Sequence, residues 1–109
     1  MIAKLKKIQD ALTSIEGLRV YHYWHPRLQA PFCIWAEDAE GMSIWQDNHN
    51  AEQVISGTID YFTLKEFDET VELIQQALNE TENVGWRLNS VQYEDETNLI
   101  HFEWEFDVI

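Results

Sequence analysis

Between Gln53 and Ala77 the hydrophobic period lengthens from two residues to between three and four. That change restricts the chain to folds in which a strand runs almost directly into a helix. From Val54 to Phe62, Ile55, Gly57, Ile59 and Tyr61 fall on one face, and Val54, Ser56, Thr58, Asp60 and Phe62 make a wetter second face. Beyond Thr63, Phe67, Val71, Ile74 and Leu78 recur at helical spacing, with Glu66, Asp68, Glu69, Glu72 and Gln75 between them. Thr63 is the expected N-cap. Its hydroxyl would accept from the N–H of Glu66 while the Glu66 carboxylate accepts from the N–H of Thr63, which satisfies two donors at the helix start. Asp68 and Glu69 then lie near the positive end of the helix dipole. Nothing on this strand or helix is a nucleophile, a metal cluster or a phosphate loop.

The same two periods organise the rest of the chain. Ile2, Leu5, Ile8, Leu12 and Ile15 predict an amphipathic helix over residues 2 to 16, closed by Gly17, which tolerates the left-handed conformation. Leu18 to Trp24 reads as a strand that ends before Pro26, and Phe32 to Glu37 as a second strand. In residues 38 to 53, Gly41 permits a turn, Met42 to Trp45 fits a short strand, and the polar remainder fits an exposed hairpin loop. The helical pattern stops at Asn83 or Gly85. Trp86 to Tyr93 and Leu99 to Ile109 then form a hairpin across the acidic tip Glu94 to Asn98. In the last strand Ile100, Phe102, Trp104, Phe106 and Val108 point one way, and His101, Glu103, Glu105 and Asp107 the other. A slip of one residue would bury carboxylates, so the register is tightly specified. The expected fold is α+β, one domain over residues 1 to 109: a mostly antiparallel sheet of about five strands with both helices on the face of Phe102 and Trp104.

Composition narrows the function. The 109 residues suffice for one core and carry a net charge of −13. The charge is uneven: residues 1 to 54 hold five basic and seven acidic side chains, net −2, and residues 55 to 109 hold two and thirteen, net −11. Such a surface repels a phosphate backbone, which argues against sequence-specific nucleic-acid binding. The lone Cys33, flanked by Phe32, Ile34 and Trp35, reads as a buried thiol in a reducing compartment. The N-terminal stretch lacks the apolar run of a signal peptide, and no segment approaches membrane-spanning length, so a cytoplasmic protein is expected.

Catalytic and metal sites find little support in the residues. His22 and His25, with Glu37 or Asp38, invite a metal reading, yet three-residue spacing on a strand turns the two imidazoles to opposite faces. Glu103, Glu105 and Asp107 line one strand face, which without a pocket remains a solvated or interface surface. No nucleophilic arrangement can be assembled around Cys33 or any serine. The expectation is a non-enzymatic protein with no cofactor and no metal. Trp24, Trp35, Trp45 and Tyr23 could instead make an aromatic pocket for a small molecule or peptide, although aromatics at strand spacing more often form core.

The strand beginning Gly57-Thr58-Ile59-Asp60, the helix start Phe67-Asp68, the strand Leu88-Asn89-Ser90 and the terminal strand Ile100-His101-Phe102-Glu103-Trp104 together resemble the tail terminator, or tail-completion, proteins of long-tailed phages and prophages of Gram-positive bacteria. The resemblance covers about half of the chain, mainly residues 53 to 109. It implies an α+β monomer that assembles as a ring, usually a hexamer, on the head-proximal end of the tail tube. There it stops tube growth and joins the tail to the filled head. The implied partners are further copies of the chain, the tube protein and a neck or head-completion protein. The implied location is the host cytoplasm during assembly and then the virion. Glu103, Glu105 and Asp107, or Glu94 and Glu96 at the acidic turn, would face the DNA channel or a basic neighbour. Asp47, Asn48, His49, Asn50 and Glu52 would reach the adjacent subunit or the tube. A head-completion or adaptor role in the neck fits the same features.

Overall fold

A computed structural model describes residues 1–24, 27, 29–40 and 53–109. The elements run α1 (Ile2–Thr13), β1 (Val20–His22), β2 (Phe32–Glu40), β3 (Ile55–Thr63), α2 (Thr70–Glu80), β4 (Val84–Glu94) and β5 (Leu99–Val108). The strands form one five-stranded sheet in the order β1-β2-β3-β5-β4. The β2–β3, β3–β5 and β4–β5 pairings are antiparallel, and β1 lies parallel to β2 at one edge. This is the expected α+β fold, with a mixed sheet in which antiparallel pairing dominates.

The alternation along β3 and β5 decides which face is covered. Ile55, Gly57, Ile59, Tyr61 and Thr63 are all buried, and the residues between them are half-buried. Across the ladder Ile59 pairs with Trp104, Gly57 with Phe106 and Ile55 with Val108. Both helices dock on this face: Ile8 and Leu12 from α1 and Ile74 and Leu78 from α2 join Cys33, Trp35, Ile59, Tyr61, Trp104, Phe106 and Val108 in one core. Each fully buried side chain of this size contributes about 1.5–3 kcal/mol through the water it sheds. Cys33 is fully buried, as expected for a structural thiol, and burial followed by the nearby Asp60 charge pushes it well above the usual thiol range. Among the described residues, no helix is long and apolar enough to cross a membrane.

Four local expectations are corrected. Helix α2 begins at Thr70, so Thr63 is not its cap and the reciprocal pair with Glu66 does not form. Thr63 is the buried last residue of β3; its hydroxyl donates to Asp68 Oδ2 at 2.7 Å and accepts from the N–H of Lys65 at 3.1 Å. Asp68 supplies the helix start instead, accepting the N–H of Thr70 on Oδ1 at 2.9 Å. Phe67 lies outside the helix, 90% exposed and at a φ of 57°.

Helix α1 stops at Thr13 rather than at residue 16: Ser14 N–H still reaches Asp10 O at 3.0 Å, but Ile15 N–H turns to Leu12 O at 3.2 Å, and Thr13 Oγ1 and Ser14 Oγ donate back to the carbonyls of Gln9 and Ala11 at 2.8 and 2.7 Å. Gly17 still ends the turn, at a φ of 81°. Strand β1 is three residues long, shorter than Leu18 to Trp24, since Tyr23 takes a φ of 71°. Finally, α2 ends at Glu80, before Asn83 or Gly85, because Thr81 is already extended (φ −89°, ψ 121°); Asn83 is left-handed (φ 65°) in the turn that follows, and Gly85 belongs to β4.

Candidate functional site

Both helices lie on one side of the sheet, so its other side is the one surface on which three strands present polar groups without a helical cover among the described residues. The cross-strand register arranges that side in rows. Ile34, Asp60, Glu103 and Ser90 make one row, Phe32, Phe62, His101 and Gln92 the next, and Ala36, Thr58, Glu105 and Arg87 the row on the other flank. The central row holds two carboxylates and no basic residue. The register shift between Leu88 and Ser90 leaves Asn89 extra on β4, from which its Nδ2 donates to Glu103 Oε2 at 2.6 Å.

His101 sits diagonal to Asp60 and meets it through Nε2···Oδ1 at 2.6 Å. Its ring stacks on Phe62 with centroids 4.2 Å apart, and Phe62 stacks on Phe32 at 5.0 Å. Asp60 is half-buried and its carboxyl lies above the ordinary range. Burial is the chief cause; the His101 bond and charge pull it down, and the facing Glu103 carboxylate pushes it further up. One donor atom from each of Asp60, His101 and Glu103 lies within 4.8 Å of the others.

The other acidic residues expected on this face are present but differently engaged. Glu105 pairs with the Arg87 guanidinium, and Asp107 accepts the Ser56 hydroxyl. Arg87 is exposed and Glu105 half-buried, and pairs open to solvent on one side contribute about 0–1 kcal/mol. Glu94 closes the hairpin opposite Leu99, and Glu96 is exposed in the turn. The turn is tied by Asn98 N–H to Glu94 O and Tyr93 Oη–H to Asn98 Oδ1, both at 2.8 Å, and it stands apart from the Glu103 row. The loop residues Asp47, Asn48, His49, Asn50 and Glu52 lie outside the described residues, as do His25 and Trp45.

The other sequence candidates separate. His22 Nε2 lies 2.7 Å from Glu37 Oε1, Tyr23 donates its hydroxyl to the same carboxylate, and His22 is stacked between Tyr23 and Trp35. Burial pushes Glu37 up, but the Tyr23, His22 and backbone bonds outweigh it and hold the carboxyl below its ordinary value. Asp38 is exposed beside the β2 irregularity. Trp35 is core, with its indole N–H bonded to Gln9 Oε1 at 2.7 Å, whereas Trp24 is 69% exposed. Among the described aromatics of that set, Tyr23 and Trp35 meet through the His22 ring between them, and Trp24 stands exposed.

Asp60 and Asn89 are the residues that sequence reasoning left out of the acidic face. The signal lay in the pairing: antiparallel alignment of two alternating strands sets Asp60 opposite Glu103, whereas the shift that presents Asn89 has no sequence mark. No protein-family model matches the sequence, and no curated protein matches it.

Proposed function

We propose that this chain is a non-enzymatic structural subunit of a long-tailed phage or prophage: a tail terminator that forms a ring at the head-proximal end of the tail tube, stops tube growth and joins tail to head. The reading rests on the resemblance of residues 53 to 109, and one structural observation supports it. Among the described residues the sheet has two unequal edges with no further strand, three-residue β1 at one side and eleven-residue β4 at the other, and β4 leaves Leu88, Val91 and Tyr93 exposed. A long open edge with apolar side chains is a template for a neighbouring chain, and contact between two different surfaces closes into a ring when its rotation allows. The partners would be further copies of the chain, the tube protein and a neck or head-completion protein.

An acidic face suits a ring that DNA must traverse without adhering, because Glu103 and Asp107, whose hydrogen-bond partners Asn89 and Ser56 are neutral, repel phosphate, while Glu105 is offset by Arg87. A head-completion or adaptor protein would share these features, and binding to tube ends separates the two. Light scattering and native mass of the purified chain, alone and with tubes polymerised from a phage tail-tube protein of the same genome, test the reading. A ring, or a monomer that becomes a ring on tube ends, is expected. A chain that stays monomeric and ignores tubes would move the assignment to another neck role.

A further inference from the structure

We propose that Asp60, His101 and Glu103 form a binding site for a single divalent transition-metal ion of the Zn2+ class on the uncovered face of the sheet. His101 and Glu103 are two residues apart on β5 and so share a face, while the β3–β5 register puts Asp60 directly opposite Glu103. Regular strand geometry thus assembles three ligands without any loop. Their donor atoms lie within 4.8 Å of one another. An ion held at about 2.0–2.2 Å by nitrogen and carboxylate oxygen in a tetrahedral site sets its donors roughly 3.3–3.5 Å apart, so the ion would replace the 2.6 Å His101–Asp60 bond, with those two side chains rotating apart. One imidazole and two carboxylates favour Zn2+, Mn2+ or Fe2+ over Ca2+ and Mg2+, which take oxygen alone, and over Cu+, which prefers sulfur.

Two further features belong to a metal site rather than to an ordinary solvated face. Carboxylates directly opposite each other across strands are unfavourable, and a cation between them removes that cost. The neighbouring row handles its charge otherwise, by placing Arg87 against Glu105. Around the ligands, Asn89 orients the Glu103 carboxylate at 2.6 Å and the Phe62 ring fixes the plane of His101 at 4.2 Å, the kind of outer support that ligating side chains receive. Among the described residues this is the one group of three such donors, since His22 and Glu37 meet without a third.

The test is calorimetric titration of the full chain, stripped with a chelator and returned to a non-coordinating buffer, with ZnCl2. The expected result is saturable binding of one ion per chain, weakened about tenfold or more by His101→Gln and by Glu103→Gln, weakened less by Asn89→Ala, and unchanged by Glu105→Gln. Far-UV circular dichroism checks the fold of each variant. In the wild-type chain, the imidazole nitrogen resonances of His101 should move on titration while those of His22 stay, a readout that needs no variant. Absence of saturable binding through millimolar ion, binding that survives in both ligand variants, or a response at His22 instead of His101 would overturn the proposal. The titration uses the isolated chain and no tubes, so its failure leaves the terminator reading untouched, and failure of that reading leaves the ion site standing.

Discussion

Thr63 and Asp68 are joined side chain to side chain, Oγ1 to Oδ2 at 2.7 Å, and this bond closes the turn between the central strand and α2. The same carboxylate accepts the Tyr61 hydroxyl at 2.6 Å and the Thr70 N–H at 2.9 Å. Tyr61 and Thr63 are almost wholly buried, and burial together with the Asp68 bond pushes the Tyr61 phenol up to about 12. Asp68→Ala would leave two buried hydroxyls without their acceptor and the helix without its start, so it is expected to cost about 2–4 kcal/mol in urea unfolding. A loss below the range of an ordinary surface substitution would contradict this role.

Acid should expose the same carboxylate. Burial raises Asp68, but the bonds from Tyr61, Thr63 and Thr70 outweigh it and hold the group below its ordinary value of 3.8. A carboxyl held lower in the folded chain than in the unfolded chain adds stability that is complete above the ordinary value and is lost as pH falls through the folded value. Glu37 acts in the same sense from an ordinary value of 4.5. Asp60, raised by burial, acts in the opposite sense and offsets part of the loss. The urea midpoint should therefore hold through weak acid and fall below about pH 4, with a shallower fall in Asp68→Asn.

Gly57 is required by close approach rather than by a turn. A Cβ there would lie 2.1 Å from the Ala36 carbonyl oxygen, 2.7 Å from Phe106 Cζ and 2.8 Å from Glu37 Cα. Two of these are backbone atoms of the adjacent strand, which a side-chain rotation cannot relieve. Gly57→Ala should cost about 3 kcal/mol by urea or thermal unfolding, at the upper end for overpacking in a core. Stability equal to wild type would show that β2 and β3 are further apart than described.

Where one side of an element is buried and the other wet, its sequence was legible. The alternation of Ile55 to Thr63 and of Ile100 to Val108 carried the two central strands, the covered face and the acidic face with it. The start of α2 was not legible, because the Thr63-x-x-Glu66 pattern satisfies the local rule for a capping box while a tertiary partner, Asp68, takes the Thr63 hydroxyl. The end of β1 turned on a left-handed Tyr23, a conformation that a tyrosine does not advertise. On the acidic face Glu103, Glu105 and Asp107 were readable from their spacing. Their different partners, Asp60 with Asn89, Arg87 and Ser56, depend on register and on the irregularity at Asn89, which no single strand records.

The free edge supplies an assembly prediction. Val91 is 51% exposed on β4, so a lysine there should change monomer stability by no more than about 0.5 kcal/mol. If β4 meets the next subunit, Val91→Lys should abolish or strongly weaken ring formation by placing a charge in an apolar contact. Native mass spectrometry beside urea unfolding checks both halves, and a stable variant that still forms complete rings would remove β4 from the interface.

As a tail terminator, the function proposed above, this chain would end tail-tube growth. That is tested by polymerising a phage tail-tube protein from the same genome with and without this chain and measuring tube length and end occupancy by electron microscopy. Short tubes that stop elongating, each with a ring at one end, are expected at amounts of protein far below one per tube subunit. Tubes of unchanged length with bare ends would contradict it.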